Sequence, residues 1–220
     1  MSEFKVYENP ESVAQAAADY IFDQLKTCVA EKGECHVVLP GGTTPARCLE
    51  LLADKPLPWI NIHWYPSDER CYPVGHAERN DTMIMDKLFS QQKNMVENFH
   101  PIPAELGPEQ GAAKYILLLD EIENIDIVVL GMGEDGHTAS LFPENDVLND
   151  QHSAAPVHGA PKPPGDRISI GLNALNAARK RIVIITGASK HKALKKIREG
   201  EPLPASLVEP DFWFVDDAAA

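Results

Sequence analysis

The stretch IDIVVLGMGEDGH, residues 125–137, decides the fold. Its first half, Ile125 to Leu130, is a largely apolar, β-branched run of the kind found in a strand covered on both faces of a parallel sheet. Its second half, Gly131 to Gly136, matches G-x-G-x-x-G and invites a dinucleotide reading. That fold needs the pattern on its first strand, before a long helix, with an acid closing the next strand about 20 residues on. Here the strand is central, Pro143 cuts any helix short, and a proline-rich segment comes next. The glycines instead permit a close backbone turn that presents Asp135 and His137 together. A neutral imidazole can take a proton from water near pH 7, and Asp135 could orient the ring or stabilise its charged form.

Outward from this stretch, strand and helix patterns alternate. Apolar residues recur at helical spacing from Glu11 to Lys32, where Gly33 ends the run. Strands are read at Cys35–Leu39, Ile62–Tyr65, Arg167–Leu172, Arg181–Thr186 and Phe212–Val215, with a short one near Phe99 to Ile102. Helices are read from Ala46 to Ala53, Glu78 to Phe89, Pro108 to Ile122 and Ser189 to Glu199. The segment from Asn149 to Asp166 holds four prolines and two glycines and reads as a long loop, a candidate lid. The pattern implies an α/β fold, a mainly parallel, Rossmann-like three-layer sheet with helices on both faces, in a single domain spanning residues 1–220. In such sheets ligands bind beyond the carboxyl ends of the strands. Three polar motifs fall there: Gly41–Pro45, Asp68–Arg70 and Gly131–His137.

Gly41-Gly42-Thr43-Thr44-Pro45 couples a glycine turn to a helix start, with Thr44 as cap and Pro45 in the first helical position. Exposed N–H groups and the positive helix end form an anion site, although the full P-loop pattern is absent and a plain turn stays open. Asp68-Glu69-Arg70 is either a solvated turn or a place where Asp68 and Arg70 meet substrate oxygens. Arg167 and Lys190 are candidates for a phosphate. Histidines are scattered without metal-ligand spacing, and no G-x-S-x-G elbow occurs, so neither a metal site nor a serine nucleophile is expected.

With 33 acidic and 20 basic side chains the net charge is −13, which excludes nucleic acid or an anionic membrane as the main partner. A small anion remains compatible, because a few local cations and backbone N–H groups can hold it. Cys28, Cys35, Cys48 and Cys71 form no C-x-x-C pair and read as free cytosolic thiols. No leader is visible, and no apolar stretch approaches the roughly 20 residues of a membrane span. A cytoplasmic monomer or small homo-oligomer is expected.

Five segments carry a resemblance: LPGGTTP (39–45), SDER (67–70), GMGEDGHTASLFP (131–143), RISIGL (167–172) and TGASKHKAL (186–194). Over nearly its whole length the chain resembles the 6-phosphogluconolactonases, related in fold to glucosamine-6-phosphate deaminases and ribose-5-phosphate isomerases. The resemblance implies cofactor-free hydrolysis of a small phosphorylated sugar lactone, with His137 as general base and Asp135 as the loop acid. It places Gly42, Thr43, Arg167 and Lys190 at the phosphate end and Arg70 near the ring. Arg79 and Gly171 depart from the serine and threonine that the family often has there. An amino-sugar-phosphate isomerase or deaminase is the alternative, but deaminases carry a glutamate where this chain has Phe142. A non-catalytic sugar-phosphate sensor is the third reading.

Overall fold

A computed structural model describes residues 2–90 and 92–220. The first half of the chain runs β1 (Glu3–Tyr7), α1 (Pro10–Lys32), β2 (Cys35–Leu39), α2 (Thr43–Ala53), β3 (Ile62–Pro66), β4 (Asp68–Arg70), α3 (Asn80–Lys87) and α4 (Pro108–Asp120). The second runs β5 (Ile127–Leu130), β6 (Ala154–Val157), β7 (Arg167–Ile170), α5 (Leu172–Ala177), β8 (Lys180–Ile185), α6 (His191–Arg198), α7 (Pro204–Leu207) and β9 (Phe212–Asp216). Six strands form one parallel sheet in the order β1-β9-β8-β5-β2-β3.

The two-residue period of the strands divides the core in two. Val37, Leu39, Ile127, Val129, Ile182 and Ile184 point to one face, where they meet Ile21 and Leu25 of α1 and Leu49 and Leu52 of α2. Val38, Val128, Leu130, Val183 and Ile185 point to the other, against Tyr115 and Leu119 of α4 and Leu194 of α6. Both sets are buried, which is why the central strands read as unbroken apolar runs. Helix α1 starts where the Asn9 side chain accepts from the Ser12 N–H at 2.9 Å and stops at Gly33, whose φ of +87° suits glycine.

Four readings need correction. The strand at Arg167 does not join the parallel sheet; it is the middle strand of a separate antiparallel sheet, β4-β7-β6, packed over the α4 face. The long loop from Asn149 contains β6, whose Pro156 sits on the outer strand, where a missing N–H is tolerated. The strand near Phe99 reduces to a single bridge between Trp64 and Phe99. The sequence reading also passed over β1, a parallel partner of β9.

The connection through α2 carries the chain from β2 to β3 on one side, and the chain later returns to β5 on the other side of β2. The crevice beyond the carboxyl ends of β2 and β5 is therefore the switch point of the sheet. Both glycine-rich segments leave the sheet there. Among the described residues no helix is long and apolar enough to cross a membrane, and all four cysteines are free.

Candidate active site

A cleft of about 980 Å³ opens over the switch point. All ten candidates line it: Gly41, Gly42, Thr43, Thr44, Asp68, Arg70, Asp135, His137, Arg167 and Lys190.

His137 and Asp135 meet within one tight turn. The Nδ1 of His137 lies 2.5 Å from Asp135 Oδ1, which also accepts the His137 backbone N–H at 3.1 Å. Burial pushes the Asp135 carboxyl up, but the bond to His137, its charge and the backbone donors outweigh that and leave it at about 2. An ionised carboxylate only accepts, so the shared proton belongs to Nδ1, and in the neutral ring Nε2 is the nitrogen that carries the lone pair. The turn is closed by Gly133 N–H to His137 O at 2.8 Å and Thr138 Oγ1 to Gly131 O at 2.7 Å. A side chain at Gly133 would place its Cβ 2.1 Å from the imidazole, so this glycine makes the room that the pair occupies. Phe142 packs against the ring at a tilt, with centroids 4.6 Å apart.

The second wall is the start of α2. The helix begins at Thr43, with Gly42 as its N-cap at φ +101°. Thr44 is accordingly not the cap, and Pro45 is third rather than first in the helix. The Thr44 hydroxyl instead bonds Thr186 Oγ1 at 2.7 Å, linking α2 to the end of β8. First-turn N–H groups have no carbonyl one turn back, and with no capping side chain those of Thr43 and Thr44 suit an anion.

Cations supply the rest. Arg70 and Arg167 are register partners on β4 and β7. Among the described residues the Arg167 guanidinium donates only to carbonyls, of Lys162 at 2.9 Å and Pro164 at 3.3 Å. Burial pushes it below the ordinary arginine value; the charge of Arg70 adds to that push and Asp68 opposes it. Arg70 donates to the Glu78 carbonyl, while its buried Nε has no partner among the described residues. Burial likewise lowers Lys190, with Glu134 pulling it back up and Lys162 pushing it further down. Lys162 also lines the cleft, and the sequence reading missed it.

Asp68 lines the cleft too, but its carboxylate already accepts from Ser140, Ser67 and Asn80. One group with metal-ligand chemistry, Cys28, Cys35 and Asp126, lies at the amino ends of β2 and β5, away from the cleft. Its Asp126 is taken by Lys32 at 2.6 Å and by the His36 N–H.

A family model described as glucosamine-6-phosphate isomerases/6-phosphogluconolactonase matches residues 8–214. The chain belongs to this family. Within it, the chain is similar to the 6-phosphogluconolactonase of Homo sapiens, 39% identical over 235 residues that cover 98% of this chain and 91% of the relative. The 6-phosphogluconolactonase of Synechocystis is 32% identical, over 96% of this chain and 94% of that one. The crystal structure of 6-phosphogluconolactonase from Thermotoga maritima superposes with a TM-score of 0.92 at 30% identity, covering 99% of this chain and 100% of the other.

Arg79 and Gly171, read from the sequence as departures from the family's pattern, lie outside the cleft lining. Arg79 is buried and donates to Asp81, to the carbonyls of Tyr72 and Ile102, and to Glu105. It ties the start of α3 to its surroundings. At Gly171 a Cβ would lie 2.3 Å from the His152 carbonyl oxygen, so the backbone leading into β6 occupies the space of a side chain.

Proposed function

We propose that this protein hydrolyses 6-phospho-D-glucono-1,5-lactone to 6-phospho-D-gluconate, a step of the oxidative pentose phosphate pathway, through a water activated by His137. The observation that carries this reading is the 2.5 Å Asp135–His137 pair, set in a cleft whose arginines and Lys190 lack carboxylate hydrogen-bond partners among the described residues. An acidic protein that keeps four cations around one cleft is built to receive an anion there.

In the proposed mechanism the phosphate end is held by the first turn of α2 with Arg167, Lys190 and Lys162. His137 Nε2 takes a proton from water while Asp135 stabilises the imidazolium. The water oxygen forms a bond to the lactone carbonyl carbon, and Arg70 stabilises the developing oxyanion. Collapse breaks the ring C–O bond, and the ring oxygen leaves with the proton from His137. A cyclic ester needs no covalent nucleophile, and no cofactor enters these steps. A base of this kind supplies on the order of 10²–10⁴-fold, and positioning through the phosphate supplies much of the remainder.

The deaminase alternative needs a second acid–base group at position 142, where the ring of Phe142 packs at a tilt against His137. A sensor would need no base. Proton release on adding freshly made lactone, with glucosamine-6-phosphate in parallel, separates the three. Acceleration with the lactone alone is the expected result; none over the spontaneous rate would falsify the proposal. The four free thiols fit a reducing compartment, and we place the reaction in the cytoplasm.

A further inference from the structure

The buried carboxylate of Asp68 has a place in the site that proton transfer and phosphate binding do not explain. Only 5% exposed, it has no cation in hydrogen-bonding contact among the described residues; its donors are neutral side chains. Ser140 Oγ donates to Oδ2 at 2.6 Å, and Ser67 Oγ and Asn80 Nδ2 donate to Oδ1 at 3.0 and 3.1 Å. Charge-assisted bonds of this kind are the strong ones, and burial shields them from competing water.

Two of these donors, Ser140 and Asn80, lead to different walls of the cleft. Ser140 lies three residues beyond His137, and its own N–H is held by Ser169 Oγ at 3.2 Å. The stretch between Gly131 and Ser140 is thus pinned at one end by Thr138 and at the other by Asp68. Asn80 heads α3 and donates a second bond, of 2.8 Å, to the Asp68 carbonyl. Its amide lies against Gly41, where an added Cβ would fall 1.9 Å from Asn80 Oδ1, so the phosphate loop rests on this side chain. One carboxylate therefore spans the loop that carries the base and the loop before α2.

We infer that Asp68 is a positioning residue that acts through Ser140 and Asn80, fixing the separation of His137 from the phosphate-holding wall. This rests on the lactonase reading given above. A substrate gripped by its phosphate reaches its reactive carbonyl at one distance only, and a misplacement of about 1 Å costs on the order of 10²-fold in rate. The network thus bears on kcat, while the binding groups themselves stay in place.

The test uses the intact protein and three variants, Asp68→Asn, Ser140→Ala and the double variant, with the wild type assayed alongside. Both single variants lose kcat, Asp68→Asn by on the order of 10- to 100-fold and Ser140→Ala by less, with KM within about threefold and the pH profile unchanged in shape. The double variant falls no further than Asp68→Asn, because both changes cut the same strut. Ser140→Ala removes one hydroxyl and keeps the assay informative if Asp68→Asn is poorly folded. Loss of a pH limb in Asp68→Asn with full kcat in Ser140→Ala would make Asp68 a proton-transfer group and overturn the inference. Wild-type kcat in both single variants overturns it as well. An inactive wild type would instead reject the lactonase reading itself.

Discussion

Arg70 and Arg167 stand directly opposite one another across the antiparallel β4–β7 pair. Like charges in that relationship are destabilising, and burial of Arg167 makes this one worse. The charge of Asp68, which acts on Arg167 more strongly than that of Arg70, and the ring of Phe142, 5.6 Å from the Arg167 guanidinium, offset part of this. A dianion in the cleft would relieve the repulsion. Inorganic phosphate at about 100 times its Kd is therefore expected to add about 2.7 kcal/mol of stability. At roughly 2–4 °C per kcal/mol this is a rise in Tm of about 5–10 °C, readable by calorimetry. Arg167→Met should abolish that rise; an unchanged shift in the variant would move the phosphate elsewhere.

The division of labour between the two ends of the cleft predicts different kinetic signatures. His137→Ala should lower kcat by on the order of 10²–10⁴ with little change in KM. Asp135→Asn should behave in the same direction, since an amide cannot stabilise the imidazolium. Lys190→Ala should mainly raise KM. Steady-state kinetics on the lactone would show the roles exchanged if the pattern came out reversed.

Six of the ten residues that meet in the cleft could be placed from strands β2 and β5, which announce themselves as buried runs with the next residues at the sheet's carboxyl end; Asp68 and Arg70 follow β3, Lys190 follows β8, and Arg167 lies in β7 of the other sheet. Other features depend on contacts that no local pattern records. Lys162 reaches the cleft only because Pro156 lies in β6, which folds back on β7 and returns the proline-rich turn to the site. The start of α2 was misplaced because Thr44 is a good capping residue in general, yet Gly42 adopts a positive φ and takes the cap itself. The bond from Ser140 to Asp68 was not legible, because the two residues are 72 positions apart.

Replacing Arg79 and Gly171 by the serine and threonine that the resemblance leads one to expect should harm this chain. Gly171→Thr drives a Cβ into the His152 carbonyl, a backbone atom that cannot turn aside. The cost is about 1–3 kcal/mol of overpacking strain. Arg79→Ser strands the Asp81 carboxylate and the carbonyls of Tyr72 and Ile102, for about 3–5 kcal/mol if the loss resembles that of a buried ion pair. Denaturant unfolding should report both losses, with KM unaltered because neither residue lines the cleft. A variant with improved KM would mean that these positions do touch substrate.

Far from the cleft, the partly buried ring of His100 bears on stability in acid. His36 and His63 are register partners on β2 and β3, and His63 Nδ1 lies 3.1 Å from His100 Nε2. Burial, followed by the charges of His63 and His36, lowers His100 from 6.5 to about 4. Between those values the unfolded chain binds a proton that the folded chain refuses. Stability from this site is therefore whole above pH 6.5 and is lost as pH falls toward 4. Glu69 acts with the opposite sign, since burial, against the pull of three backbone N–H donors, raises its carboxyl to about 7. The folded state then takes a proton first, and stability from Glu69 grows as pH falls from 7 toward 4.5. The two windows overlap, so the wild-type curve alone separates neither. Comparing wild type with His100→Gln cancels Glu69, which is present in both. The difference in unfolding free energy should be flat above pH 6.5 and shift in favour of the variant below it; a difference constant from pH 8 to pH 4.5 would show that His100 titrates normally in the folded protein.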